Sequence, residues 1–285
     1  MSGTVLILGG SGKIGRHSTE TFKKAGWNVR QFDRRTENMV RAAQGCDVIL
    51  NGLNPPNYHN WKEIIPAITA DVIEAARSSG ATVAIPGNVY HFGERPGIWS
   101  EKTIPLPVSR KGRIRLEMER DYQDSGVQTI VLRAGNFIDP ERRGCVMSEV
   151  YLSKIKQGKV TLPGPSETRQ AMCYLPDWAR ACVDVVEQRR ALSHFEDIPF
   201  PGHTLSAKDI KTELERITGR PIKFATFPWR ILELSRPVWE LASEVSEMRY
   251  LWNTDHSLSG QKFHDLVPDF KITPLDEVMR SALPK

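Results

Sequence analysis

Residues 8–15 read LGGSGKIG and follow the short apolar run Thr4–Leu8 (TVLIL) without a break. Behind them, Lys13–Ala25 carries small and apolar residues at helical spacing and stops at Gly26. Trp27–Phe32 (WNVRQF) then alternates like a strand and ends on Asp33, 24 positions after Gly9. Strand, glycine turn, helix, strand and acid, in that order, make up a unit that holds a dinucleotide. Each glycine has its own task. Gly9 permits the tight turn, Gly12 lets the backbone approach a pyrophosphate, and Gly15 allows close helix packing. The helix start, with Ser11, Lys13 and Ile14 around it, offers free N–H groups and a positive dipole end to phosphates.

The rest of the composition fits a protein built around that unit. A chain of 285 residues suffices for one large domain with a smaller one, and 40% hydrophobic and 26% charged residues are ordinary for a soluble globular protein. No segment approaches the ~20 apolar residues of a membrane span, and Met1–Gly9 lacks the basic leader of a signal peptide. A cytoplasmic protein without membrane contact is expected. Cys46, Cys145, Cys173 and Cys182 form no CxxC pair and no metal-ligand spacing with histidine, so reduced, partly buried thiols are expected and no metal. The net charge of +5 suits an anionic small molecule. It is too dispersed for nucleic acid, which needs a concentrated basic stripe. A homodimer is allowed for.

The spacing GxxGxxG, in place of GxGxxG, resembles the extended and atypical branches of the short-chain dehydrogenase/reductase superfamily, a group that includes NAD-dependent epimerases and dehydratases. Four later segments resemble it in the right order: CDVILNGLNPP (Cys46–Pro56), AIPGNVYHFG (Ala84–Gly93), VLRAGNFIDP (Val131–Pro140) and YLPDWARA (Tyr174–Ala181). TPLDEVMRSAL near the end resembles the family's last helix. The resemblance implies a doubly wound Rossmann α/β fold with a small C-terminal α/β cap, taken as residues 1–186 and 187–285 with interleaving allowed. It implies a nicotinamide cofactor, with Leu53 and Asn54 beside the adenosine and Asn136 facing the substrate. One departure concerns length. Only about a dozen residues, read as one helix over Thr36–Gly45, separate Asp33 from the strand at Asp47–Asn51. The family's third strand is therefore expected to be missing. Asp33 favours NAD by accepting the ribose hydroxyls, whereas Arg34 and Arg35 are placed to clamp a 2′-phosphate, so NAD and NADP both stay open.

In the resembled family a tyrosine moves the proton, a lysine four residues on lowers its pKa, and a serine orients the carbonyl. Here those slots fall on Lys111, Arg115 and Pro86. All three are replaced, and an arginine stays charged and cannot shuttle protons. The run Arg110–Arg115 (RKGRIR) has two readings: a site for an anionic substrate group, with Lys111 catalytic, or an exposed basic helix end paired with Glu94, Glu117 and Glu119. Tyr90 and His91 follow a strand whose end faces the cofactor crevice, which makes them the substitute acids. Tyr90 has Glu94 four residues on, so its phenol should stay neutral. Tyr58 and Trp61 offer an aromatic wall over a substrate, or cover for the core. Arg133 is read as structural.

After Glu187 the pattern changes. Pro199–Leu205 is turn-rich, and Ser206–Thr218 is a helix with Ser206 as N-cap, Asp209 in the capping-box position and Gly219 at its stop. PIKFATFP reads as a strand, and the Trp- and Leu-rich stretch after it as helix broken at Pro237. Two functions follow: an oxidoreductase or epimerase-like enzyme acting on a small carbonyl or sugar-nucleotide substrate, or an NAD(P)-binding sensor or scaffold without turnover.

Overall fold

The computed structural model describes residues 3–141 and 144–284. The chain begins with β1 (Thr4–Leu8), α1 (Lys13–Lys24), β2 (Asn28–Gln31), α2 (Met39–Ala43), β3 (Val48–Asn51) and α3 (Trp61–Ser79). It continues through β4 (Thr82–Gly87), β5 (Gly97–Trp99), α4 (Arg110–Asp124), β6 (Thr129–Arg133), β7 (Asn136–Ile138), β8 (Lys159–Leu162), β9 (Gln170–Tyr174) and α5 (Leu175–Glu187). The last part holds β10 (Phe195–Pro199), β11 (His203–Leu205), α6 (Ala207–Thr218), β12 (Lys223–Thr226), α7 (Trp229–Ser235) and α8 (Glu240–Glu247). It closes with β13 (His256–Leu258), α9 (Gln261–Leu266) and α10 (Leu275–Ala282).

Six strands form one sheet in the order β10-β6-β4-β3-β1-β2, every neighbouring pair parallel. Its central strands are apolar on both faces, as parallel strands between helix layers must be. Val5 and Ile7 enter the layer of α1 and α5, with Phe22 and Trp178, while Leu6 and Leu8 enter that of α3 and α4, with Val72 and Met118. The order reverses at β1, whose two neighbours are β2 and β3. That opens a crevice at their carboxyl ends, where open α/β sheets bind ligands.

The turn into that crevice is as the sequence predicts. Gly9 has φ of 75°, and a Cβ on Gly15 would lie 2.3 Å from the Gly9 carbonyl oxygen. Only glycine permits α1 to pack this closely on the end of β1.

Beyond β2 no further strand is paired among the described residues, in agreement with the missing third strand. The helix expected over Thr36–Gly45 is shorter, running Met39–Ala43. The Asp33 carbonyl accepts from the amides of Thr36 and Glu37 in a turn, and extended Asn38 (ψ 134°) resets the chain and caps the helix through its side chain on the Arg41 amide.

A cut at residue 187 does not separate two units. β10 extends the main sheet beside β6, and Phe263 of α9 joins the same core layer. The smaller part takes β8, which pairs with β12, and a three-stranded sheet β11-β9-β7 from both sides of that residue. α6 has the expected capping box, Ser206 with Asp209, and ends on Gly219.

Arg133 at the end of β6 ties these parts together. It is fully buried, holds Glu119 of α4 through Nη1 (3.1 Å) and Nη2 (2.7 Å), and reaches Asp197 of β10 (2.8 Å) and the Asn88 carbonyl (2.5 Å). Arg133→Met should destabilise the fold by about 3–5 kcal/mol in urea denaturation, because two carboxylates lose their shared partner. Arg133→Lys should recover only part of that, since an ammonium cannot span both.

Candidate functional site

A cleft of about 600 Å³ lies over the carboxyl ends of β1, β3, β4 and β6. One end is formed by Gly12, Lys13 and Ile14. Gly12 is the N-cap of α1 and no side chain caps the helix there. A Cβ on Gly12 would meet only the Gly9 oxygen, at 3.2 Å, so its cleft side is open. A helix start that no side chain caps among the described residues, a positive dipole end and an open glycine fit a pyrophosphate. Lys13 donates to the Gly144 carbonyl, which lines the cleft together with Cys145 and Val146.

The other end is aromatic. Tyr90 stacks on Trp61 with ring centroids 6.5 Å apart and 25° between planes, and its hydroxyl lies 3.5 Å from that of Tyr58. Tyr58 packs on Trp61 at 5.1 Å. The non-glycine residues with positive φ among those described are Asn57, Tyr58 and Asn60, all in the loop that carries this wall. Such backbone costs of order 1–3 kcal/mol per residue and concentrates where a side chain must be aimed. Burial, reinforced by Tyr58, pushes the Tyr90 phenol well above its ordinary pKa, so it is neutral at physiological pH.

Of the residues expected at the site, Gly12, Lys13, Ile14, Leu53, Asn54, Tyr58, Trp61, Tyr90 and Asn136 line this one cleft. Gly9 and Gly15 shape the turn behind it, and Ser11 is exposed on it. Asp33 and Arg34 lie outside the lining, past the end of β2. There Arg35 takes the Asp33 carboxylate through Nε (3.2 Å) and Nη2 (3.2 Å) and lowers its pKa.

Two expected residues are elsewhere. His91 is buried with Nδ1 unpartnered and does not line the cleft. Burial, with the Arg133 charge, lowers its pKa to about 3, so at physiological pH it is neutral and offers no imidazolium acid. Lys111 is also fully buried and does not line the cleft. Its Nζ binds the Glu247 carboxylate (2.7 Å), the Glu244 carbonyl (3.1 Å) and the Glu244 carboxylate, both residues of α8. Neither reading of RKGRIR anticipated this, because the partners lie more than 130 residues away. Lys111 also lies 5.1 Å from the Tyr58 ring centroid, behind the aromatic wall.

Arg115, one turn further along α4, does line the cleft, its guanidinium 4.5 Å from the Trp61 ring centroid and its Nη2 2.7 Å from Asn54 Oδ1. The i, i+4 spacing with Lys111 was the signal for it, but the two side chains diverge. Leu241 of α8 and the Gly144–Val146 segment, also on the lining, left no mark in the sequence.

No family model and no curated protein matches the sequence. Solved structures do match. UDP-glucuronic acid 4-epimerase from Bacillus cereus, in complex with UDP-glucuronic acid and NAD, superposes with a TM-score of 0.78 and 15% identity, covering 98% of this chain and 97% of that one. The fold is the one these enzymes use. MoeE5 in complex with UDP-glucose and NAD gives 0.76 and 16% over the same shares. A dTDP-4-dehydrorhamnose reductase from Clostridium acetobutylicum gives 0.72 and 16%, covering 98% of each chain. Among the described residues no helix is long and apolar enough to cross a membrane.

Replacing Lys111 by Met should cost about 3 kcal/mol, because it removes a buried counter-ion from two carboxylates. Burial alone would raise the pKa of Glu247, but the Lys111 hydrogen bond and charge outweigh it and lower the net value below 4.5. This contribution to stability is therefore present above about pH 4.5 and lost as pH falls through the depressed value. Urea melts of wild type and Lys111→Met between pH 3 and 7 should converge at the acid end.

Proposed function

We propose that the chain belongs to the extended short-chain dehydrogenase/reductase superfamily, binds NAD, and reduces a small carbonyl or sugar-nucleotide substrate with Tyr90 as proton donor. The observation that carries this is one cleft running from the start of α1, where no side chain caps the helix, to two half-buried phenols, Tyr90 after β4 and Tyr58 in the loop after β3. The Gly12–Ile14 backbone would hold the pyrophosphate, and Leu53 and Asn54 the adenosine side. Asp33, held ionised, favours ribose hydroxyls over a 2′-phosphate. When bound, the cofactor supplies the two-electron redox chemistry.

The protein's own part is to orient the substrate and to give it a proton. Tyr90 Oη presents a neutral hydroxyl to a carbonyl oxygen, and Asn136 holds the substrate from the β7 side. Tyr58, 3.5 Å from Tyr90, is placed to return the proton. No Asp or Glu among the described residues lines the cleft, so no carboxylate base is at hand, which favours reduction over oxidation. The loss of the Tyr/Lys pair supports a second reading, a cofactor-binding sensor or scaffold that does not turn over.

Calorimetry should find NAD bound roughly tenfold or more tightly than NADP, with a ratio unchanged by Arg34→Ala, and Gly12→Leu should weaken NAD at least as much. Preference for NADP that falls in Arg34→Ala would reverse the cofactor assignment, and unchanged affinity in Gly12→Leu would refute the site. With carbonyl and sugar-nucleotide substrates, Tyr90→Phe should lower kcat by roughly 10²–10⁴-fold while His91→Ala leaves it within about threefold. The kcat of wild type should be nearly flat from pH 6 to 9, since neither Tyr90 nor His91 titrates there. Tight NAD binding without turnover of any substrate would select the sensor.

A further inference from the structure

The cleft has an unusual charge balance. Among the described residues lining it, Lys13 and Arg115 are the cations, at opposite ends, and there is no carboxylate. Lys13 belongs to the phosphate end and donates to the Gly144 carbonyl. Arg115 belongs to the aromatic end and has no ion pair among the described residues. Glu119, one turn along α4, is already claimed by Arg133 through two hydrogen bonds. Among the described residues the guanidinium has neutral contacts: Asn54 Oδ1 at 2.7 Å, the Met118 sulfur at 3.4 Å and the Trp61 face. Its Nε is buried and has no hydrogen-bond partner.

A half-buried cation with a buried, unused donor and no ion pair among the described residues is costly to leave unmatched, and an anionic ligand group would match it. Resting on the cofactor and substrate reading above, we infer that Arg115 binds a carboxylate of the substrate, so that the substrate class is a carbonyl or sugar acid. The planar guanidinium lies against the Trp61 face, which holds its fork in one plane at the edge of the cleft. A carboxylate matches the guanidinium fork with two parallel hydrogen bonds, and the phosphates are already assigned to the Gly12 end of the cleft. Arg115 is a specificity-determining residue here, and takes no part in proton transfer.

The test uses the full-length protein, with and without saturating NAD, and two matched pairs that differ by one carboxylate. These are UDP-glucuronic acid against UDP-glucose, and 2-oxobutyrate against 2-butanone; inorganic phosphate is a third arm. Calorimetry should show the acid of at least one pair binding roughly tenfold or more tightly than its neutral partner. Arg115→Gln should abolish that preference and Arg115→Lys should keep part of it, while NAD affinity changes by less than about threefold. Thermal melts of each variant establish that it is folded, and the rise in Tm on adding the acid should vanish in Arg115→Gln. The assignment is overturned if neither pair shows a preference, or if the preference survives in Arg115→Gln. It is also overturned if that variant loses NAD affinity tenfold with the preference intact, or if phosphate alone shows Arg115-dependent binding. A protein that fails to bind NAD yet keeps an Arg115-dependent acid preference would sink the cofactor reading and support this one.

Discussion

The buried ammonium of Lys111 ties α4 to α8. It leaves the first turn of α4 and ends between Glu244 and Glu247 of α8, with Arg110 on Glu244 beside it. α8 also brings Leu241 to the cleft and Glu240 to within 3.0 Å of His59. Tyr250 then donates to the Tyr90 carbonyl (2.9 Å), so the segment after α8 grips the backbone of the proposed acid itself. The basic run serves the assembly of the site, with charges that need each other because both are out of water. Lys111 also lies behind Tyr58, whose left-handed backbone turns it over the cleft.

With Lys111 consumed in this way, the described residues lining the cleft keep neutral donors, Lys13 at one end and, at the other, the guanidinium of Arg115 without an ion pair. Burial raises the Tyr90 phenol and lowers the His91 imidazole. Both groups are thereby uncharged at ordinary pH, but only Tyr90 faces the cleft. With no carboxylate or imidazole among the described lining residues, the site has no ready base there. It can still position a substrate and give a proton to a developing alkoxide, which is what reduction of a carbonyl needs. Arg115 fits the same logic: it cannot relay a proton, but its fixed charge and planar fork can hold a substrate in one orientation.

Much of this was determined by the sequence alone. The alternation of Val5, Leu6, Ile7 and Leu8, the spacing of Gly9, Gly12 and Gly15, and the box of Ser206 with Asp209 are local constraints on dihedral angle, pleat and cap, and local constraints are written in consecutive residues. The short link after Asp33 likewise left no room for a third strand, and none is paired there. The lining residues expected from the strand ends, from Gly12 to Asn136, were legible because the carboxyl ends of parallel strands converge by topology. Only the tertiary structure decided the fate of the cations. Whether Lys111 faces the cleft depends on carboxylates more than 130 residues away, and its neighbours Glu117 and Glu119 gave no hint of them. The same holds for His91, whose proton is governed by burial and by Arg133, and for the boundary at 187, which β10 crosses to complete the sheet. Burial and long-range charge pairing are properties of what packs against a residue, and the chain order around that residue does not carry them.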